Sequence, residues 1–496
     1  MALVLYFHQS LKLTILMYTK RGIMWFRQDL RLHDNEALTE ALQYTDEVIP
    51  IYVFDERQFR EQTTNFGFRK TGAYRAKFII ESVADLRNSL RERGCDLIVR
   101  VGHPEEEVFQ LARQAKSSWV FCNRERTPDE VYVQDELEKR LWSVGQEIRY
   151  SRGKMLYYTA DLPFPITHTP DTFSQFKKEV ERYVPVREPL PKPAVMPDIT
   201  VRLEAGEIPG MEDLGYEQSG EQDRRAAIQH RGGESAGLQH LYDYVWEDRE
   251  IEHYCQMSDG VAGEGYSTKF SAWLAQGCLS PKLIYHHLKS YGEQGGNPKA
   301  VEGVFHALLW RDYHRFMAKK YQERVFAKGG VVDQADPRWR NDEHLLQKWI
   351  DGKTGIPFID ANMREIKATG YMSNRGRQNV ASFLVHDLQV NWQMGAEYFE
   401  SVLVDYDPAS NWGNWNSIAG VGSDPREEKR FNIFSQSTRY DAKGDFIREW
   451  LPELADLPTE KLHQPDMLSS SDEEALNGRL SSDYAEAMAS TGKWRK

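Results

Sequence analysis

The chain predicts an α/β N-terminal domain, a parallel sheet with flanking helices, followed by a larger all-α domain. Three observations over its 496 residues carry that prediction. The first 150 residues alternate short apolar runs with helical patterns, the signature of parallel strands joined by crossover helices. Prolines then cluster at Pro185, Pro189, Pro191, Pro193 and Pro197 while periodicity is lost, as in a linker crossing a surface. From Gly232 onward the apolar repeats are helical. The expected division is 20–150 for the α/β domain, 151–230 for the linker, 231–465 for the helical domain and 466–496 for a flexible tail rich in serine and acid.

Taken in order, strands are expected at Ile23–Phe26, Val48–Phe54, Leu97–Val101 and Trp119–Cys122. Between them, Tyr74–Arg93 sets Phe78, Ile79, Val83, Leu86 and Leu90 at helical spacing. Thr127-Pro128-Asp129-Glu130 reads as a helix start, with a capping hydroxyl, a proline where no N–H is needed and acids in the first turn. In the second domain Ser280-Pro281 opens a helix over Lys282–Tyr291. Further patterns cover Val301–Tyr321, Glu343–Ile350, Phe358–Thr369, Gln378–Asn391 and Ala396–Leu403.

Composition narrows the class of function. Hydrophobic residues make up 40% and charged residues 28%, as in a soluble globular protein. With 63 basic against 75 acidic residues the net charge is −12, the reverse of a dedicated non-specific nucleic-acid binder. Any nucleic-acid face must therefore be a local patch. Cys95, Cys122, Cys255 and Cys278 include no C-x-x-C pair, so neither a metal site nor a disulfide framework is expected, and a reduced, cytoplasmic setting is the simpler reading. No apolar run approaches about 18 residues, so no membrane span is expected. Met1–Lys20 lacks a basic start and a small-residue cleavage site, so no signal peptide is expected, and Met17 is as good an initiator as Met1.

After the first strand, where a dinucleotide fold carries G-x-G-x-x-G, no such turn exists, and G-x-x-x-x-G-K-[ST] occurs nowhere. Dehydrogenase and P-loop chemistry are poor readings. The residues found there are Trp25-Phe26-Arg27-Gln28-Asp29-Leu30-Arg31-Leu32-His33-Asp34-Asn35. By themselves they read as a buried strand and a polar turn into a helix. They also resemble the opening of photolyases and cryptochromes, and three later segments carry that resemblance further.

Gly263-Glu264-Gly265-Tyr266-Ser267-Thr268-Lys269-Phe270-Ser271 gathers hydroxyls, backbone N–H groups and a cation at a helix entry, which suits a pyrophosphate as well as an ordinary cap. Ser373-Asn374-Arg375-Gly376-Arg377-Gln378-Asn379 is either a solvated turn or a charged site before an apolar helix. Asp405-Tyr406-Asp407-Pro408-Ala409-Ser410-Asn411-Trp412-Gly413-Asn414-Trp415-Asn416 interleaves polar, aromatic and glycine residues, placed by the pattern at the end of a helix. Ala419 to Glu427, Phe431 to Gln436 and Trp450 to Leu454 extend the likeness to DASH cryptochromes over roughly residues 20 to 460.

The resemblance implies FAD as cofactor. It places Tyr254, Ser267, Thr268, Lys269, Phe270, Ser271, Arg311, Asn374, Arg377, Asp405, Tyr406, Asp407 and Asn411 around it, with Arg377 and Asp405 paired beside the ring and Asn411 beside N5. It makes Trp415, Trp392 and Trp339 an electron relay running from the flavin to the surface; without the resemblance each would be a core or surface aromatic. It makes Glu125 a contact of a 5,10-methenyltetrahydrofolate antenna, where a lone strand-end Glu is ordinarily solvated. DNA, single-stranded or damaged, and a signalling protein are the partners it implies.

Two positions depart from repair. Ala307 stands where most of the family has a Glu that bonds the flipped pyrimidine dimer, and Ser417 where it has a stacking aromatic; Trp310 keeps one wall. Arg375 and Arg439, with Arg311, Arg315, Arg364 and Lys367, are candidates for a basic rim or simply solvated charges. Three functions remain open: a light-sensing binding protein, a light-driven lyase, and a light-independent nucleotide-binding protein.

Overall fold

The computed structural model describes residues 19–463 apart from 62, 218–219, 255–259, 262–264, 266, 334–338 and 425–429. The N-terminal run, the tail, Cys255, Gly263, Glu264, Tyr266 and the 425–427 part of the DASH-like pattern lie outside the described residues.

Five parallel strands form one sheet in the order β3-β2-β1-β4-β5: β1 Arg21–Phe26, β2 Glu47–Asp55, β3 Ile98–Gly102, β4 Trp119–Asn123 and β5 Glu147–Ser151. Every residue of β1 is buried, because helices cover both faces; such a strand reads as a continuous apolar run. The register pairs Ile23 with Ile49 and Val120, and Met24 with Pro50 and Phe121. Four strands match the expectation. β5 escaped it because an edge strand with Glu147 exposed and Ile148 to Tyr150 only half-buried has no apolar run to read.

The covering helices are α1 Glu36–Tyr44, α2 Ala73–Arg91, α3 Pro104–Ala115 and α4 Pro128–Trp142. The expected start of α4 is a full capping box between Thr127 and Glu130.

The linker is more structured than expected. It contains an 11-residue helix, α5 Phe173–Tyr183, whose Phe173, Phe176 and Val180 are buried. Spacings of three and four residues are themselves a helical stripe, obscured by the proline-rich stretch that follows.

The helical domain places α6 Glu234–Tyr242, α7 Ser271–Ala275, α8 Pro281–Glu293, α9 Pro298–Tyr321, α10 Glu343–Ile350, α11 Pro357–Thr369, α12 Asn374–Ser382, α13 Trp392–Val402 and α14 Pro408–Ala419. The pattern read as one helix over Gln378–Asn391 is instead α12, with a wide turn at Phe383–Asp387 after it. The segment Asp405–Asn416 opens a helix rather than ending one: Asp407 caps α14, accepting the Ser410 N–H at 2.9 Å.

The opening motif joins the domains. Leu30 N donates to Gln276 O at 3.2 Å and Arg31 Nη1 to Gly277 O at 2.8 Å. Gly277 has φ +67, and a Cβ there would stand 2.2 Å from Gln28 O, so the contact requires glycine. Asp34 is fully buried between Ser280 and Lys282, and Glu234 accepts the N–H groups of Leu32 and His33. His33 Nδ1 stands 2.5 Å from Glu234 while its Nε2 accepts from Ser280 N–H, so the ring is neutral and donates through Nδ1. Burial lowers its pKa in the same sense.

Candidate functional site

A cavity of ≈ 510 Å³ opens in the helical domain and adjoins a smaller one of ≈ 110 Å³; Asn374, Arg377 and Asp405 line both. All thirteen residues expected around the flavin line these cavities.

The 267–271 segment bends into α7 through Lys269, which sits at φ +53 and is 3% exposed. Ser271 Oγ beside it is buried with no hydrogen-bond partner. Tyr254 packs on α9 at Gly303, where a Cβ would stand 2.6 Å from its ring.

α12 presents Asn374 and Arg377, its N-terminus fixed by Ser373 Oγ accepting from Gly376 N at 3.0 Å. Arg377 Nη2 donates to both oxygens of Asp405, at 3.0 and 2.8 Å. Asn411 Nδ2 donates to Ala396 O at 3.1 Å, which leaves the amide oxygen as its available acceptor.

Asp407 also pairs with Arg315, both 7% exposed. Burial opposes ionisation of Asp407, but Arg315 and Arg311 outweigh it and hold the carboxyl well below its usual range. Arg311 donates to Lys154 O and Leu274 O and is pushed down to about 10 by burial and by Arg315. The basic rim is corrected accordingly. Arg311 and Arg315 are interior groups, Arg364 pairs with Glu453 and Lys367 with Asp351. Arg439 is exposed and Arg375 half-buried, its Nη1 donating to Gln378 Oε1 at 2.9 Å; their guanidinium groups lie 5.3 and 5.5 Å from the Tyr440 ring centroid.

Trp415 and Trp392 are 2% and 0% exposed and Trp339 is half-buried. A Cβ on Gly395 would stand 2.3 Å from Trp415, so that indole lies on the α13 backbone one turn from Trp392. Trp392 Nε1 donates to Lys328 O at 3.0 Å, Lys328 Nζ to Trp339 O at 3.4 Å, and a bridge pairs Arg340 with Val390. The structure thus brings the three indoles into one region. The sequence reading assigned no role to Trp412, which meets the Trp392 ring at 5.6 Å and donates to Tyr406 OH at 3.2 Å. It stood unassigned inside the Asn411-to-Trp415 motif.

At the cavity mouth Ala307 is exposed and Ser417 buried. Trp310 lines the cavity, as expected of a wall, and one of its faces is already covered. Phe173 stacks on it with centroids 3.7 Å apart and planes 7° apart, and His314 lies 5.5 Å away at 32°.

A separate cavity of ≈ 550 Å³ lies between the domains, lined by Trp25, Gln28, Glu125, Phe326, Tyr406 and Trp412 among others. It sits outside the carboxyl ends of β1, β2 and β4, at the point where strand order reverses, the general ligand crevice of such sheets. Glu125 is 2% exposed and paired with the buried Lys154. Burial pushes Glu125 up, but Lys154, Arg27 and Arg315 outweigh it and keep it ionised below the usual range.

Among the described residues no helix is long and apolar enough to cross a membrane. Cys95, Cys122 and Cys278 are buried free thiols.

Residues 22–194 match the family model described as DNA photolyase, and residues 304–496 the FAD binding domain of DNA photolyase. A Cryptochrome DASH of Gloeobacter violaceus is 45% identical over 94% of this chain and 93% of its own. The crystal structure of a Synechocystis cryptochrome, 40% identical, superposes with a TM-score of 0.90 over 96% of this chain and 98% of its own. A bacterial class III photolyase from Agrobacterium tumefaciens, 26% identical, gives 0.84 over 96% of both chains. The buried Lys269, the unpartnered Ser271 Oγ and the Arg377–Asp405 pair suit a dinucleotide with an anionic bridge and a polar ring edge. The chain belongs to the photolyase/cryptochrome family, with DASH cryptochromes 40–45% identical to it over most of its length, and FAD is the cofactor of its helical domain.

Proposed function

We propose that the chain is a FAD-dependent blue-light photoreceptor of the DASH type, with at most weak repair of pyrimidine dimers in single-stranded DNA. The observation that carries this reading is the contrast within one cavity. The residues for the flavin are complete, while the side facing a damaged base has Ala307, Ser417 and a Trp310 already stacked on Phe173.

When bound, FAD supplies blue-light absorption and a site that accepts electrons. The chain's own residues do the rest. Lys269, Thr268 and Ser271 hold the phosphates, and Arg377 with Asp405 sets the field at the ring. Asn411 offers an acceptor and no ready proton at N5. Trp415, Trp392 and Trp339 pass electrons inward from the surface. Glu125 takes the polar edge of 5,10-methenyltetrahydrofolate in the interdomain cavity. Arg375 and Arg439 contact single-stranded or damaged DNA, a signalling protein reads the light state, and the setting is cytoplasmic.

The test is the absorption spectrum of the purified protein before and after blue light with an external reductant. The expected result is FAD on release by heat or acid, and flavin bleaching that Trp392→Phe slows strongly at unchanged FAD content. Equal bleaching rates would remove these tryptophans from the relay. The second reading, a DNA photolyase as the main role, rests on the shared cavity architecture and leads if wild-type protein repairs thymine dimers briskly.

A further inference from the structure

Next to the interdomain junction, the α/β domain gathers cations whose side chains form no ion pair among the described residues. β4 and β5 pair Asn123 with Ser151, so the chain leaves both strands side by side, and Arg124 N donates to Ser151 O at 2.9 Å. Arg124 and Arg126 follow the first strand and Arg152 the second. Lys319 approaches from α9, a helix pinned to the residues after β5: Asp312 accepts the N–H groups of Leu156 and Tyr157, and Arg311 donates to Lys154 O.

Arg124 is exposed, its guanidinium 5.1 Å from the Tyr150 ring centroid; Arg126, Arg152 and Lys319 are half-buried. Among the described residues no ion pair holds the side chain of any of the four; Glu36 accepts the backbone N–H of Arg152 at 2.7 Å, and the charge of Glu125 acts on Arg126 against its two arginine neighbours. Their neighbours are treated differently: Lys320 is paired with Asp171 and Lys154 with Glu125. Gathering like charges while stripping their water costs stability. Lys319 feels it: burial, then Arg126, Arg152 and Arg124, push its pKa down to about 8. Burial, then Arg152 and Arg124, push Arg126 down to about 10.

We propose that Arg124, Arg126, Arg152 and Lys319 form a binding site for a small polyanion of the polyphosphate type. Three guanidinium groups match phosphate oxygens bidentately, and the lysine adds a point charge. The place fits, because doubly wound sheets receive ligands outside the carboxyl ends of their strands. None of the four lines the flavin cavities or the 550 Å³ interdomain cavity, so this ligand is additional to FAD and to an antenna. Half-burial between strand ends and a helix favours a compact anion over the extended backbone of a nucleic acid.

The experiment uses the full FAD-loaded chain, titrated with tripolyphosphate and, at matched ionic strength, with sulfate. Thermal midpoint and calorimetry are the readouts. Tripolyphosphate should raise the midpoint saturably and further than sulfate, as any ligand of the folded state does. Arg126→Gln with Lys319→Gln should weaken binding by about tenfold or more. The ligand-free midpoint of that double variant should be no lower than wild type, with flavin absorbance unchanged. If the double variant loses its flavin, Arg124→Ala, at an exposed position, serves instead and should also weaken binding. Equal shifts with sulfate, or unchanged affinity in the variants, overturn the proposal. Displacement of tripolyphosphate by a short oligothymidylate at comparable concentration overturns the small ligand in favour of a nucleic-acid backbone.

Discussion

Trp310 has the chemistry to stack on a base, but one ring face lies flat against Phe173 and His314 packs beside it. On the proposed reading, Ala307 forfeits about 2.7 kcal/mol of charge-assisted bonding at the low end, and Ser417 about 1 kcal/mol of stacking. Together these amount to about 500-fold in rate. Repair of thymine dimers in single strands should therefore be slow or undetectable in wild type, assayed by dimer loss under blue light. Ala307→Glu with Ser417→Tyr should raise it, and adding Phe173→Leu, which stays apolar but gives up the ring stack, should raise it again. Full repair from the double change alone would show that Phe173 does not obstruct. Ala307 and Ser417 stand out in the sequence because each lies within a readable motif. The stack was not legible, because Phe173 lies more than 100 residues away in a segment read as linker.

Elements were legible where burial is two-sided or periodic and illegible where packing decides. β1 and β2 carry the unbroken runs Ile23–Phe26 and Val48–Phe54 between or beside charged ends, and α10 falls at Glu343–Ile350 as expected. β5 and α5 needed their tertiary context. The flavin-side helix α14 depends on one residue twice over, since Asp407 both caps it and pairs with Arg315. The two roles can be separated. Asp407→Asn keeps the cap and strands Arg315, at a cost of about 3–5 kcal/mol if the guanidinium stays buried. Asp407→Ala loses the cap as well, adding about 1 kcal/mol. Chemical denaturation of both variants should rank them in that order below wild type, with FAD released earlier in each. An Asp407→Asn protein as stable as wild type would mean that Arg315 finds another partner.

At the scale of the molecule, the two domains meet through groups whose charge state is fixed by burial. Glu234 is held down to about 2: burial opposes ionisation, but the His33 hydrogen bond, Lys192 and the Leu32 N–H outweigh it. A carboxyl with a depressed folded pKa contributes stability that is present above its unfolded pKa near 4.5 and lost as pH falls toward 2. Acid unfolding should therefore steepen across that window, and Glu234→Gln should flatten it while lowering stability at neutral pH. An unchanged acid limb in the variant would take Glu234 out of the junction's energetics. The division into domains was readable from composition, but this junction was not. Residues Leu30 to Asn35 looked like a polar turn because their partners, Glu234, Gln276, Gly277, Ser280 and Lys282, come more than 190 positions later.

Tyr406 lines both the interdomain cavity and the smaller flavin cavity. Its hydroxyl donates to Glu400 and accepts from Trp412, and Arg75 of α2 lies 4.9 Å from its ring centroid. One side chain, braced from both domains, is thus a common wall. Occupants on its two sides share a free energy whenever either displaces it, and that sharing is reciprocal. Whatever factor bound FAD lends to the affinity of a second chromophore, the second chromophore must return to FAD. Retention of FAD during long dialysis would then report on whether the other chamber is filled, without any light being switched on.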